Sequence, residues 1–138
     1  MEAAAVSNPS ASSVNFLPTL IVDPHGAAAQ QLAEQLTHSG FTANSADTCV
    51  QALAAMRARH YRSIIFIGDV SDLEDVRCLA ELRPRSPRTW IILISSTALR
   101  DARELYLRHG IDAQIVTPFS MEDLVSRLMA FSRHPRPP

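Results

Sequence analysis

Short runs of aliphatic and β-branched residues alternate along the chain with segments whose apolar residues recur every three or four positions. Runs that are apolar at successive positions, such as LPTLIVD at 17–23 and TWIILIS at 89–95, are typical of strands buried on both faces. The longer recurrence is typical of helices that bury one side. The pattern predicts strands over residues 17–23, 41–46, 61–67, 89–95 and 111–116.

Helices are predicted between and after these strands. One covers residues 25–39, a second is capped by Asp47, a third runs from Ser71 or Asp72 to a stop at Pro84, a fourth covers 97–109, and the last begins at Ser120. Asp123 follows Ser120 at the capping-box spacing. The predicted buried faces of the second and third helices are Val50, Leu53, Ala54 and Met56, and Leu73, Val76, Leu79 and Ala80. In the fourth helix Tyr106 is predicted to share the buried face.

This alternation of strand and helix calls for an α/β fold with a parallel sheet covered by helices on both faces. The right-handed crossover rule then favours a doubly wound, flavodoxin-like sheet of strand order 2-1-3-4-5. Ligands and chemistry in such sheets lie at the carboxyl ends of the strands. Candidate functional residues are therefore those that end the predicted strands.

Length and composition fit one domain. The chain has 138 residues, of which 46% are hydrophobic, enough to bury a core of its own. We interpret residues 1–16 as a disordered tail, 17–132 as the folded unit and 133–138 as a C-terminal tail. With no apolar run long enough for a bilayer and no secretory signal pattern, the prediction is a soluble cytoplasmic protein.

The charged residues exclude several kinds of function. A net charge of -1 makes nucleic-acid binding a poor expectation. All 13 basic residues are arginine, which excludes mechanisms that need a lysine amine. Arg83, Arg85 and Arg88 are interpreted as solvated helix-end residues.

The chain has two cysteines, Cys49 and Cys78. Their spacing indicates neither a zinc site nor a disulfide framework. The expectation is that both are buried as small hydrophobic residues.

Four segments that end in predicted strand termini resemble the motifs of response-regulator receiver domains. They are TLIVDPH, YRSIIFIGDVSD, IILISS and IVTPFS, and the resemblance covers residues 18–131. In that family an acidic pair after the first strand binds Mg²⁺, an aspartate ending the third strand accepts a phosphoryl group, and Ser or Thr ends the fourth. The fifth strand is followed by Lys-Pro with a cis peptide bond. The resemblance therefore implies a cis bond before Pro118.

The match to these functional positions is incomplete. Asp23 matches one acid of the pair and Ser95 matches the hydroxyl position, but Pro24 replaces the second acid and Thr117 replaces the lysine. Gln114 stands where the family usually carries an aromatic residue that responds to phosphorylation. Phosphoryl transfer to a carboxylate needs a cation with oxygen ligands and a positive group on the phosphoryl oxygens. These departures indicate that the chain has lost the ability to transfer a phosphoryl group to a carboxylate.

Two alignments compete for the phosphoacceptor. Without a gap, Ile67 falls on the acceptor position, and 71–72 and 82–83 then match the family's downstream Pro-Asp and Leu-Arg positions. Placing Asp69 there requires a bulge in the strand and a shorter loop, which strand interiors tolerate badly. The ungapped alignment is favoured, and Asp69 then becomes a loop acid near the pocket.

The predicted function is that of a bacterial pseudo-receiver, which signals through protein–protein interaction, independently of aspartyl phosphorylation and without catalysis or a cofactor. A kinase, a regulator or a transcription component is the expected partner. Homodimerisation is expected through the fourth helix, fifth strand and fifth helix, residues 99–131. The alternative is a working two-component phosphorelay receiver phosphorylated on Asp69, with Mg²⁺ near Asp23 and Asp69. A third hypothesis is a small ligand binder of the same fold.

Simpler roles are also open for the candidate acids. Asp23 beside a proline suits the cap of the following helix. Asp69, Asp72, Glu74 and Asp75 are interpreted as solvated acids that the helix dipole favours at the start of the third helix.

Overall fold

The computed structural model describes residues 18–96 and 101–138, apart from the side chain of Ala102. Five strands form one parallel sheet of order β2-β1-β3-β4-β5. They are β1 (Thr19–Val22), β2 (Ala43–Ala46), β3 (Ser63–Ile67), β4 (Trp90–Ser95) and β5 (Ala113–Val116). The predicted fold class and strand order are confirmed.

Five helices alternate with the strands: α1 (Ala28–His38), α2 (Cys49–Ala58), α3 (Leu73–Arg85), α4 (Ala102–His109) and α5 (Met121–Ser132). The amino-terminal part of the predicted fourth helix, residues 97–100, lies outside the described residues. Ser120 caps α5 as expected, with its Oγ accepting the Asp123 N–H at 3.0 Å. None of the helices in the described part of the chain has the length and apolar character needed to cross a bilayer.

Alternating side chains of the sheet build two cores, as a doubly wound sheet requires. On one face, strand residues such as Leu20, Ile64 and Leu93 pack against α2, α3 and α4. On the other, residues such as Ile21 and Ile65 pack against α1 and α5. Helices therefore cover both faces of the sheet. The two ends of the strands, amino-terminal and carboxyl-terminal, stay accessible to functional residues.

The predicted faces and ends of α2 and α3 need correction. In α2 the N-cap is Thr48 rather than Asp47, its Oγ1 accepting the Gln51 N–H at 3.0 Å. Val50 is 73% exposed, and Leu73 at the start of α3 is 63% exposed. Ala52 is the buried residue of α2, and Leu53 and Met56 are partly buried against the same core, as predicted. In α3 the buried residues are Asp75, Cys78, Leu79 and Leu82, of which Leu79 was predicted.

Pro84 lies inside the last turn of α3, so its prediction as the stop is wrong. Proline has no backbone N–H, so Pro84 removes one hydrogen bond from the last turn of α3. Side-chain hydrogen bonds from Ser86 and Arg83 stabilise this end of the helix instead. The Ser86 hydroxyl donates to the Leu82 carbonyl at 2.7 Å, and the Arg83 guanidinium donates to the Ser86 and Thr89 carbonyls. Only 16% of the Arg83 side chain is exposed, so its interpretation as a solvated residue is also wrong.

Cys49 and Cys78 form a disulfide, which corrects the expectation of two unpaired cysteines. The pair is 29 residues apart in sequence, yet their Cα atoms are 5.7 Å apart. The reason is topological: α2 and α3 cover the same face of the sheet, and the start of one lies against the middle of the other. Cys78 is buried as predicted, at 3% exposure, while Cys49 is half-buried.

Candidate functional site

The predicted pocket residues lie together at the carboxyl edge of the sheet. Val22 pairs with Phe66, so Asp23 and Ile67 each follow a paired position on neighbouring strands. Ile67 ends β3 and pairs with Ile94, and Ser95 ends β4 opposite Val116. Parallel strands bring their ends to one edge, which is why residues distant in sequence meet here.

Asp23 is buried and serves the start of α1. Its Oδ1 accepts the His25 backbone N–H at 3.1 Å, and its Oδ2 accepts the Ala28 N–H at 3.3 Å. Only 5% of the residue is exposed. One oxygen thus satisfies the N–H of the first residue of α1, a donor that the start of a helix leaves without a partner, and the other satisfies an N–H of the turn after β1.

Ile67 closes the end of β3 with a hydrocarbon side chain. It packs against the core formed with α1 and α5, and it lines a groove of about 310 Å³ together with Ile94, Leu32, Thr117 and Phe119. The end of β3 thus carries a hydrocarbon side chain where the resemblance places the phosphoacceptor carboxylate.

Asp69 lies two residues beyond β3, in the turn that leads to α3. Its Oδ1 accepts the Ser71 N–H at 2.9 Å, and its carbonyl accepts the Asp72 N–H at 3.0 Å. These bonds close the turn. The side chain is half-buried.

The remaining pocket residues differ in exposure. Ser95 is 3% exposed, and its carbonyl accepts the Thr117 N–H at 3.0 Å. Thr117 is exposed and precedes a cis peptide bond to Pro118, as the resemblance implies. Pro24 is half-buried in the turn after β1, and Gln114 is half-buried in β5.

The set does not fit the Mg²⁺ that receiver chemistry uses. A hard divalent cation needs several oxygen ligands converging on one point. Pro24 and Ile67 bring no side-chain oxygen, and both carboxylate oxygens of Asp23 already accept backbone N–H groups. Asp23, Pro24 and Ile67 therefore do not provide a Mg²⁺ site.

A cluster of His25, Asp72 and Asp75 was not predicted. The His25 Nε2 lies 2.8 Å from Asp75 Oδ1 and 3.4 Å from Asp72 Oδ2. Asp75 is only 1% exposed, and its other oxygen accepts the Asp69 N–H at 2.9 Å. The interpretation of Asp75 as a solvated acid is wrong, because the inward face of α3 carries it under the turn that follows β3.

The ionisation of this cluster follows from its geometry. The hydrogen bond to Asp75, and then the negative charge of Asp75, raise the pKa of His25 above 6.5. Burial raises the pKa of Asp75, an effect that outweighs the opposing hydrogen bonds from Asp69 and His25. The cluster therefore links the turn after β1 to the start of α3 through a proton-dependent contact.

Gly68 makes this arrangement fit. A Cβ at this position would lie 2.5 Å from Asp75 Oδ2 and 2.8 Å from the Phe66 ring. The glycine is required by the close approach of the carboxylate. Its position directly after a predicted strand is the one sequence signal that pointed towards tight packing here.

Comparisons with known proteins agree on the family. The family model "Response regulator receiver domain" matches residues 19–129. The chain is 26% identical over 114 residues to the probable transcriptional regulatory protein TcrX of Mycobacterium tuberculosis, covering 83% of this chain and 49% of that protein. It is also 26% identical over 128 residues to TcrA of the same organism, covering 91% and 51%. The chain thus spans about half the length of these curated relatives.

Among solved structures, the chemotaxis protein CheY4 of Vibrio cholerae superposes with a TM-score of 0.72 at 19% identity. The superposition covers 83% of this chain and 98% of CheY4. At this identity the likeness concerns the fold.

Proposed function

The chain belongs to the response regulator receiver domain family of two-component systems, and we propose that it is a pseudo-receiver that signals without aspartyl phosphorylation. Its output is then association with another protein. The family is regulatory rather than catalytic, and the proposal assigns no reaction to this chain.

The observation that carries the proposal is the position of Ile67. It ends β3, on the strand beside the one that leads into Asp23. A phosphoacceptor at this place would need a carboxylate open to solvent and to a cation. An aliphatic side chain packed against the core that contains Ile94 supplies neither.

Two neighbours support the same reading. Thr117 carries no charge that could hold phosphoryl oxygens, and the chain has no lysine elsewhere to replace it. Both carboxylate oxygens of Asp23 accept backbone N–H groups, one from His25 in the turn after β1 and one from Ala28 at the start of α1. Losing a metal ligand and a phosphoryl-binding cation would each cost orders of magnitude in rate.

The surface of α4, β5 and α5 is the proposed site of association. Six large hydrophobic residues are exposed among the described residues, and four of them belong to these elements: Tyr106, Leu107, Val116 and Met129. Contiguous exposed apolar surface marks interaction sites, and these four side chains lie on three successive elements. A second copy of the chain, a kinase, a regulator or a transcription component would bind here, and we propose that this takes place in the cytoplasm.

The decisive experiment is incubation of the protein with acetyl phosphate and Mg²⁺, followed by intact mass measurement. We expect no phosphoryl adduct, under conditions that phosphorylate a receiver with the complete set of pocket residues. The result identifies the chemistry directly, because a phosphoryl group changes the mass of the intact chain.

The same experiment tests the alternative, a phosphorelay receiver that uses Asp69. That acid is half-buried in the turn next to the pocket, which keeps it as the alternative acceptor. An adduct on the wild-type protein that is lost in Asp69→Ala, but kept in the control Glu34→Ala on the exposed side of α1, would refute the pseudo-receiver.

A further inference from the structure

The segment that follows α5 crosses the amino-terminal ends of the strands. The Trp90 indole N–H donates to the His134 carbonyl at 2.8 Å, and the Trp90 ring stacks on Phe131 with centroids 4.5 Å apart. The Arg136 N–H donates to the Arg88 carbonyl at 3.0 Å. We name residues 131–136, the last two residues of α5 and the four that follow it, the C-terminal strap.

The strap is anchored by a buried ion pair. The Arg136 Nε donates to Asp112 Oδ1 at 2.7 Å, with side-chain exposures of 11% and 4%. Arg136 Nη1 also donates to the Pro87 carbonyl at 3.1 Å. Removing one partner of a buried pair leaves the other charge without compensation, which is far more costly than losing an exposed pair.

Asp112 connects this anchor to the end of α4. Its Oδ2 accepts the Ile91 N–H at 2.9 Å and lies 3.4 Å from Arg83 Nη1. The same Arg83 nitrogen donates to the carbonyl of Gly110, the C-cap of α4, at 2.9 Å. Two arginines thus hold one carboxylate next to the helix end.

The strap also touches α4 directly. The Arg136 guanidinium lies over the Tyr106 ring, 5.2 Å from its centroid. A guanidinium over an aromatic face is attracted by the ring electrons. Tyr106 remains 50% exposed, so its other side is open on the surface of α4.

Within the part of the chain that the structure describes, α4 has few other anchors. It has 8 residues, and Leu105 is the one buried side chain among those described in it. Leu107 is 67% exposed. Elements with little buried apolar surface open at low free-energy cost, so a contact outside the helix has a large share in holding it.

We propose that the C-terminal strap is a conformational lock on α4: docked, it holds the helix and the Tyr106 ring in place, and released, it frees them. The association surface would then be controlled from the amino-terminal ends of the strands. The phosphoryl pocket of the family lies at the other edge of the sheet, at the carboxyl ends. This consequence rests on the proposed function, whereas the lock itself does not.

The test is hydrogen–deuterium exchange on the full-length chain carrying Arg136→Gln. We expect amide exchange in α4 to rise by about tenfold or more while exchange in β1 and α1 stays unchanged. The chain contains a single tryptophan, Trp90, whose fluorescence reports whether the strap is docked. Arg133→Gln is the matched control, because Arg133 is an exposed arginine of the same strap.

If Trp90 fluorescence shows release of the strap but α4 exchanges as in the wild type, the lock is refuted. Unchanged fluorescence and exchange refute it too, because Arg136 then anchors nothing.

Should Arg136→Gln fail to fold, Tyr106→Ala replaces it, with Tyr106→Phe keeping the ring under the guanidinium. We expect faster exchange in α4 for alanine and wild-type exchange for phenylalanine, and equal exchange in the two variants would overturn the proposal. Both readouts, amide exchange in α4 and Trp90 fluorescence, are independent of association, so a failure of association cannot be mistaken for a failure of the lock.

Discussion

Asp75 organises the carboxyl edge of the sheet through each of its oxygens. One binds His25 from the turn after β1, and the other accepts the Asp69 N–H from the turn after β3. A carboxylate that is 1% exposed needs such partners, because burying it without them would be costly. The turns at this edge are therefore held by one side chain of α3.

Gly68→Ala tests how tightly this side chain is packed. The added methyl group would lie within 2.5 Å of Asp75 Oδ2 and 2.8 Å of the Phe66 ring, and such overpacking costs about 1–3 kcal/mol. Urea denaturation measures the loss of stability. Gly26→Ala is the matched control, since its methyl group would meet Asp23 Oδ2 at 3.2 Å. Equal losses in the two variants would contradict the close packing of Asp75.

His25→Gln tests the proton-dependent contact. The folded state raises the pKa of His25 above 6.5, so it binds the proton more tightly than the unfolded chain. The stabilisation is then fully present below pH 6.5 and is lost as the pH rises through the raised pKa. Burial raises the pKa of Asp75, which acts in the same direction.

Urea midpoints of the wild type and His25→Gln should therefore differ most in acid and converge in alkali. His38→Gln, on the exposed side of α1, controls for the loss of a histidine. A difference that is constant across this pH range would show that His25 contributes through packing alone.

Among the secondary-structure elements, α2 and α3 are covalently joined by the Cys49–Cys78 disulfide. A cross-link lowers the entropy of the unfolded chain, and for a separation of 29 residues the chain-entropy relation predicts about 3–4 kcal/mol. Adding a thiol reductant should lower the urea midpoint by a corresponding amount. The double variant Cys49→Ser, Cys78→Ser should not respond to the reductant. A wild type that is equally insensitive would show that the pair is not joined in solution.

The helices also show how far periodicity predicts packing. The pattern in α3 finds a helix correctly, but it places Leu73 and Ala80 inward and Asp75 outward. In the structure the buried face has rotated to Asp75, Cys78, Leu79 and Leu82. The prediction assigned the buried face of α3 from hydrophobicity alone. In the structure, the disulfide at Cys78 and the hydrogen bond to His25 keep the polar residue Asp75 on the buried face.

For the whole molecule, the proposed association surface makes a quantitative prediction. Leu107 is 67% exposed on α4, and Leu107→Glu should weaken self-association by about tenfold or more, since a charge would be buried in the interface. Val50→Glu is the control, because Val50 is 73% exposed on α2, away from this surface. Light scattering after size exclusion measures both. A wild type that stays monomeric at high concentration would contradict self-association, and equal effects of both substitutions would contradict the location.

Strand order could be derived from the sequence because it depends on local signals, whereas the pocket residues were assigned from the resemblance to receiver domains and stay a prediction. Alternation, apolar runs and caps such as Ser120 act over a few residues, and the crossover rule turns them into one topology. The replacements at Pro24 and Thr117 can also be seen in the sequence, because proline cannot supply the negative charge of an acid and threonine cannot supply the positive charge of a lysine.

Three features could be identified only from the tertiary structure: the disulfide, the burial of Asp75 and the ion pair between Arg136 and Asp112. Each joins residues from different elements, and their sequence separations carry no periodic signal. Which helix faces meet depends on how α2, α3 and α4 pack on the sheet, and that packing balances side-chain volumes and buried charges from the whole chain. Local patterns thus account for the elements of this protein, while the contacts that control its edges arise when distant segments are packed together.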